Sequence, residues 1–310
     1  MTARASVVLG GLSLQNPVFL AAGTAGYGRE VAGVINLDRL GGIVTKAVSM
    51  EPRAGAPAPR VGEFHGGMIN AVGLANPGVD VVRQDALPWL STHVTGARVL
   101  VNVVGSRTED FAEVVGSLDG EAGLDGFELN VSCPNVKAGG LEFGADLSTL
   151  DAVVRGARAR TAAPLFVKLS PTLPDIARAA QAAMDAGATG LTLTNTLPGL
   201  VIDPERRRPI IGFGSGGVSG AALLPAAVLA TWRVHRATKA PIIGVGGVAS
   251  ANDALQFLMA GASAVGIGTA ALRDPRIPER VVRDLELWLD RHGVTTVTDI
   301  IGSLDWPSSK

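Results

Sequence analysis

Lys46, Asn102, Asn130, Lys168 and Asn195 each stand at or near the end of a short apolar run, and the chain's only cysteine, Cys133, follows Asn130-Val131-Ser132. These residue types can do polar chemistry on a small ring. A lysine supplies a cation, and an asparagine amide both donates and accepts. A thiol whose pKa is brought down from about 8.5 by nearby cations can take up a proton near neutral pH. Each has a plainer reading when taken alone. An Asn at a strand end is a turn or cap residue, a buried Cys is a small hydrophobe, and a Lys there is solvated. Their joint placement on successive runs is what packing alone does not explain. Two further runs end in glycine, at Ile243-Gly244-Val245-Gly246-Gly247 and Gly266-Ile267-Gly268-Thr269. Such turns expose backbone N–H groups, and the helix N-termini that follow add positive dipole ends, so these two points are candidates for phosphate binding.

The elements that must position these residues are legible in the pattern. Apolar runs at 18–23, 42–49, 98–105, 126–133, 165–170, 190–195, 241–246 and 264–269 are rich in Val, Ile and Leu, as buried parallel strands are. Ala/Leu/Arg-rich segments with helical periodicity lie between them. One spans 175–186, with Asp175 at its start and Gly187 as its stop. Another spans 250–260, with Ser250 as N-cap and Gly261 as stop. Eight βα units without a GxGxxG after the first strand predict an α/β fold, a single (β/α)8 TIM barrel over residues 1–310, and not an open doubly wound sheet. Residues 10–14 read as a hairpin covering the barrel bottom. Two connections, 50–78 and 197–217, are long and rich in Gly and Pro, as active-site loops are.

In such a barrel the strand ends form the active site. They carry Gly23-Thr24, Lys46, Asn102, Asn130 to Cys133, Lys168, Thr194-Asn195-Thr196, Gly246-Gly247 and Gly268-Thr269. A phosphate site at the last two strands, with two lysines nearby, points to a flavin mononucleotide. A cation near N1 and O2 stabilises the reduced ring, and Asn102 and Asn130 can pair with its pyrimidine edge. Composition narrows the alternatives. Hydrophobic residues make up 47% of the 310 residues and charged ones 18%, enough apolar material for a large core. The formal charge is -1, and Arg206, Arg207 and Arg208 form the only basic cluster, so neither a nucleic acid nor an anionic membrane is expected as partner. With one cysteine, an internal disulfide and a Cys-ligated iron–sulfur cluster are both ruled out. Four histidines and no carboxylate pair at the mouth leave metal catalysis unsupported. Residues 1–10 lack a signal-peptide pattern and no run reaches the length of a membrane span, so a cytoplasmic location is expected.

Longer motifs bring a family into view. Asn130-Val131-Ser132-Cys133-Pro134-Asn135-Val136-Lys137 resembles the catalytic segment of class 1 dihydroorotate dehydrogenases. Asn70-Ala71-Val72-Gly73-Leu74-Ala75-Asn76-Pro77-Gly78 resembles their substrate loop. Val167-Lys168-Leu169-Ser170-Pro171, Thr194-Asn195-Thr196 and Gly216-Gly217-Val218-Ser219-Gly220 match as well, so the resemblance covers nearly the whole chain. It implies oxidation of dihydroorotate to orotate, with Cys133 as the base at C5 and hydride passing from C6 to flavin N5. By the same resemblance Lys46, Asn70, Ala71, Val72, Gly73, Leu74, Asn130, Asn195 and Thr196 would bind substrate. Thr24, Lys46, Ala47, Asn102, Asn130, Lys168, Thr194, Gly220, Gly246, Gly247, Gly268 and Thr269 would hold FMN.

The 70–78 loop is similar to that of class 1B. Class 1A members, which use fumarate, carry Ser after that Asn, where this chain has Ala71. Class 1B implies electron transfer to NAD through a separate subunit carrying FAD and a [2Fe-2S] cluster, with a homodimer core inside a heterotetramer. The alternatives are a class 1A-type fumarate-dependent enzyme, a related flavin pyrimidine reductase of the dihydropyrimidine dehydrogenase kind, and a flavin-free phosphate-binding barrel. Phe213-Gly214-Ser215, where a more polar stretch is expected, departs from the family pattern.

Overall fold

The computed structural model describes residues 3–132, 134–135 and 141–307. Eight parallel strands close into a barrel: β1 Val18–Leu20, β2 Gly42–Val44, β3 Arg98–Val103, β4 Gly126–Asn130, β5 Leu165–Leu169, β6 Gly190–Leu193, β7 Ile242–Val245 and β8 Ala264–Ile267. Each expected strand is present, with its start in place to within a residue. The ends are shorter than the apolar runs because the backbone leaves the ladder at the mouth. Lys46 N–H, two residues past β2, already donates to Gly26 in the preceding loop.

The strands are covered on both faces, which is why they read as continuous apolar runs rather than as alternation. All five residues of β5 are buried, Lys168 included. The helices that return the chain are α1 Leu87–His93, α2 Thr108–Leu118, α3 Leu147–Arg158, α4 Ile176–Asp185, α5 Leu224–Thr238, α6 Ala251–Met259, α7 Thr269–Arg273 and α8 Ile277–Arg291. Asp175 caps α4 by accepting from Arg178 N–H, and Ser250 caps α6 by accepting from Asp253 N–H. The first βα unit is the exception, returning through the single turn Arg29–Ala32. Before β1, strands Val7–Leu9 and Leu12–Leu14 pair as a hairpin, and Gly10 at its turn lies against Thr189 and Phe166 at the barrel bottom.

The two long connections are not irregular. Val61–Phe64 and Gly67–Asn70, from the loop after β2, pair with Gly216–Ser219 and Leu197–Gly199, from the loop after β6. Together they make a four-stranded antiparallel sheet over the mouth. Strands two and six stand opposite one another in the ring of eight, so this sheet spans it. Arg206, Arg207 and Arg208 sit exposed at the turn of a separate small hairpin in the second loop.

Candidate active site

Register decides which polar side chains meet inside the barrel. Parallel neighbours at the same level point the same way. Asn102 is level with Glu128, and Lys168 is level with both Asn130 and Thr192. Asn102, Glu128, Lys168 and Thr192 are all buried. Above this layer lies a cavity of about 540 Å³, bounded by the ends of the barrel strands and roofed by the two-loop sheet.

The cavity gathers most of the residues expected from sequence. Thr24, Lys46, Ala47, Asn102, Asn130, Lys168, Thr194, Gly220, Gly246, Gly247, Gly268 and Thr269 line it. So do Asn70, Val72, Leu74, Asn195 and Thr196. Ala71 and Gly73 do not. Ala71 N–H donates to Arg60 O at 2.8 Å, and Gly73, at φ 69°, packs its backbone against Ala56, where a Cβ would collide. Cys133 and Lys137 lie outside the described residues. Phe213 is exposed and is not part of the lining, so the departure at 213–215 falls away from the cavity wall.

Polar contacts fix several of these side chains. Asn195 Nδ2 donates to Asn130 Oδ1 at 3.2 Å, while Asn195 Oδ1 accepts from Thr196 N–H at 2.8 Å. Asn70 Nδ2 donates to Gly217 O at 3.3 Å, tying the substrate-loop motif to the strand from the opposite loop. Thr269 Oγ1 donates to Ser219 Oγ at 2.8 Å. Tyr27 Oη donates to Ala47 O at 3.0 Å, and burial, then the nearby Glu30 charge, raises that phenol above its ordinary range.

Among the described residues, the backbone N–H groups of Gly247, Gly268 and Thr269 have no protein acceptor, and the buried Thr194 hydroxyl has no hydrogen-bond partner. An unpaired buried hydroxyl is costly, and with three half-buried N–H groups lining the same cavity it makes a donor set that an oxygen-rich ligand would satisfy. Gly246 and Gly247 let the turn after β7 pack closely against α5. Both have positive φ, and a Cβ at either would run into α5 at Ala227 or Leu224. The donor set, the two lysines and the asparagine amides suit a phosphorylated planar ring such as FMN.

Three features were missed in the sequence. Ser219 and Asn76 lay inside quoted motifs without a role. Asn76 is buried, donates to Ser49 Oγ and Leu74 O at 2.8 Å each, and accepts from Gly78 N–H at 2.9 Å, which pins the 70–78 loop. Glu128 lies within β4 rather than at its end. Its signal was present: it is the only acidic residue inside the eight apolar runs.

Fold and cavity together define a (β/α)8 barrel protein whose site, at the carboxyl ends of its strands, bears two lysines and three strand-end asparagines. A sequence model of the family described as dihydroorotate dehydrogenase matches residues 4–289. The chain is 44% identical over 300 residues to the dihydroorotate dehydrogenase B (NAD(+)) catalytic subunit of Geobacter sp. strain M21, covering 97% of this chain and 98% of that one. It is 46% identical to the protein of the same name from Desulforudis audaxviator, over 98% of each chain. Among solved structures, the DHODH of Eimeria tenella in complex with ferulenol superimposes with a TM-score of 0.82 at 26% identity, covering 97% of this chain and 89% of that one. The chain belongs to the dihydroorotate dehydrogenase family, oxidoreductases of pyrimidine biosynthesis. Among the described residues no helix is long and apolar enough to cross a membrane.

Proposed function

We propose that this chain is the FMN-binding catalytic subunit of an NAD-linked dihydroorotate dehydrogenase that oxidises dihydroorotate to orotate. The observation that carries the reading is the single cavity in which Lys46, Lys168, three strand-end asparagines and the unpaired donors at β6, β7 and β8 converge. FMN, when bound, supplies the hydride acceptor for C6 of the substrate. Gly246, Gly247, Gly268 and Thr269 hold its phosphate, Thr194, Asn102 and Lys168 its ring system, and Thr24, Ala47 and Gly220 its flanks. Asn70, Asn130, Asn195 and Thr196 orient the substrate ring and carboxylate, with Val72 and Leu74 as the apolar wall beside them. Lys46 reaches both molecules. Cys133 accepts the C5 proton.

A hydrogen-bonding site of this density rejects analogues that leave its amides unpaired. The names of the relatives, dihydroorotate dehydrogenase B (NAD(+)) catalytic subunits, favour NAD over fumarate as the final acceptor. Transfer to NAD then passes through a separate FAD/[2Fe-2S] subunit docked on a dimer of this chain, in the cytoplasm.

An anaerobic titration of the purified chain with dihydroorotate tests the core of this reading. Flavin absorbance bleaches and orotate forms in proportion. In Cys133→Ala the flavin stays bound but bleaches slower by at least about 100-fold, the usual contribution of a general base. A yellow protein that does not bleach moves the substrate elsewhere, and a Cys133→Ala variant of full activity removes the base assignment.

A further inference from the structure

Glu128 is a buried carboxylate that no step above employs. It is 1% exposed and faces the barrel interior from β4. Its Oε1 accepts from Asn102 Nδ2 at 2.7 Å, and its Oε2 accepts from Thr192 Oγ1 at 2.7 Å. Lys168 Nζ stands 3.9 Å from Oε1, and Lys168 is 6% exposed. Two consequences follow from these distances. Asn102 spends an amide hydrogen on Glu128, so its Oδ1 is left as an acceptor for the cavity. The Lys168 separation exceeds the 2.7–2.9 Å or so of a charge-assisted hydrogen bond. The ammonium is therefore offset by a buried counter-charge while its hydrogens stay free for the cavity.

We infer that Glu128 is a positioning residue for the FMN site, holding the Asn102 amide with its oxygen toward the ring and setting how much of the Lys168 charge the ring experiences. The inference rests on the FMN reading given above. In a water-poor interior a carboxylate this close cancels much of a cation's field at a third point. Reduction adds negative charge to the flavin ring, so the net charge of the Glu128–Lys168 pair bears on the potential directly.

The test compares wild type, Glu128→Gln and Glu128→Asp, each stripped of cofactor and reconstituted with FMN. Two quantities are read: FMN affinity by fluorescence quenching, and the two-electron midpoint potential by anaerobic dye equilibration. Glu128→Gln keeps an acceptor for Asn102 but removes the charge, so its potential becomes more positive while FMN affinity stays within a few-fold. Glu128→Asp keeps the charge but withdraws it by one methylene, so its potential stays near wild type and FMN binds more weakly, by about fivefold for one hydrogen bond lost. A wild-type potential in Glu128→Gln overturns the inference. If that variant does not fold, unaltered FMN affinity in Glu128→Asp overturns it instead. A wild-type chain that takes up no FMN is a separate result, and takes the FMN reading down with it.

Discussion

Thr194 carries a buried hydroxyl with no partner among the described residues, at the end of β6 and in the cavity wall. Leaving such a group unpaired costs about 1–3 kcal/mol, a cost that a bound cofactor supplying a partner would offset. Thr194→Val therefore separates two quantities that normally move together. The cofactor-free chain unfolds at the same or higher denaturant concentration, while FMN binds about fivefold more weakly, the equivalent of roughly 1 kcal/mol. A variant that loses both stability and affinity assigns the hydroxyl to the scaffold. At this scale much was legible in advance, since a residue at the end of a recognisable strand is placed by the fold class alone. Glu128 lies mid-strand, where the fold class by itself places no site, although a carboxylate inside the run Phe127-Glu128-Leu129 has no packing purpose.

Among the elements, α5 and the segment that follows α8 meet at His235. Its ring is clamped between Gly261, just past α6, and Gly302, where the added Cβ of any other residue would strike it. Trp232, one turn earlier, stacks on Trp306 with centroids 3.8 Å apart. Burial first, and then the Lys239 charge, pull the His235 pKa below its ordinary 6.5. A folded-state pKa below the unfolded one means the unfolded chain binds the extra proton. The contribution of His235 is thus fully present above the unfolded pKa and lost as pH falls through the folded one. Denaturant midpoints of wild type decline from pH 7.5 to 5.5 more steeply than those of His235→Gln; parallel slopes would relieve His235 of this role. Strands and caps were readable here because their signals are local: Asp175 and Ser250 each precede an amphipathic stretch and each caps it. The pairing of Gly67–Asn70 with Gly216–Ser219 had no such signal. Its partners lie about 150 residues apart, and glycine-rich strands carry no alternation to read.

For the molecule as a whole, the proposed route to NAD needs a second protein, because the chain has no dinucleotide-binding fingerprint and too few cysteines for a cluster. On that proposal the isolated chain is expected to bleach rapidly with dihydroorotate but to reduce NAD negligibly, with turnover on NAD appearing once the FAD/[2Fe-2S] subunit is added. Fast NAD reduction by the chain alone would return the assignment to a different acceptor class. The barrel was legible as a whole because eight separate runs each pointed to it. The span over its mouth was not, and that span has a further effect. Since Asn70 and Gly217 belong to connections rooted on opposite sides of the ring, yet share one hydrogen-bonded ladder, neither stretch can peel away alone. Amide deuterium uptake along 67–70 and along 216–219 should therefore rise and fall in step, two remote pieces of chain keeping a single clock.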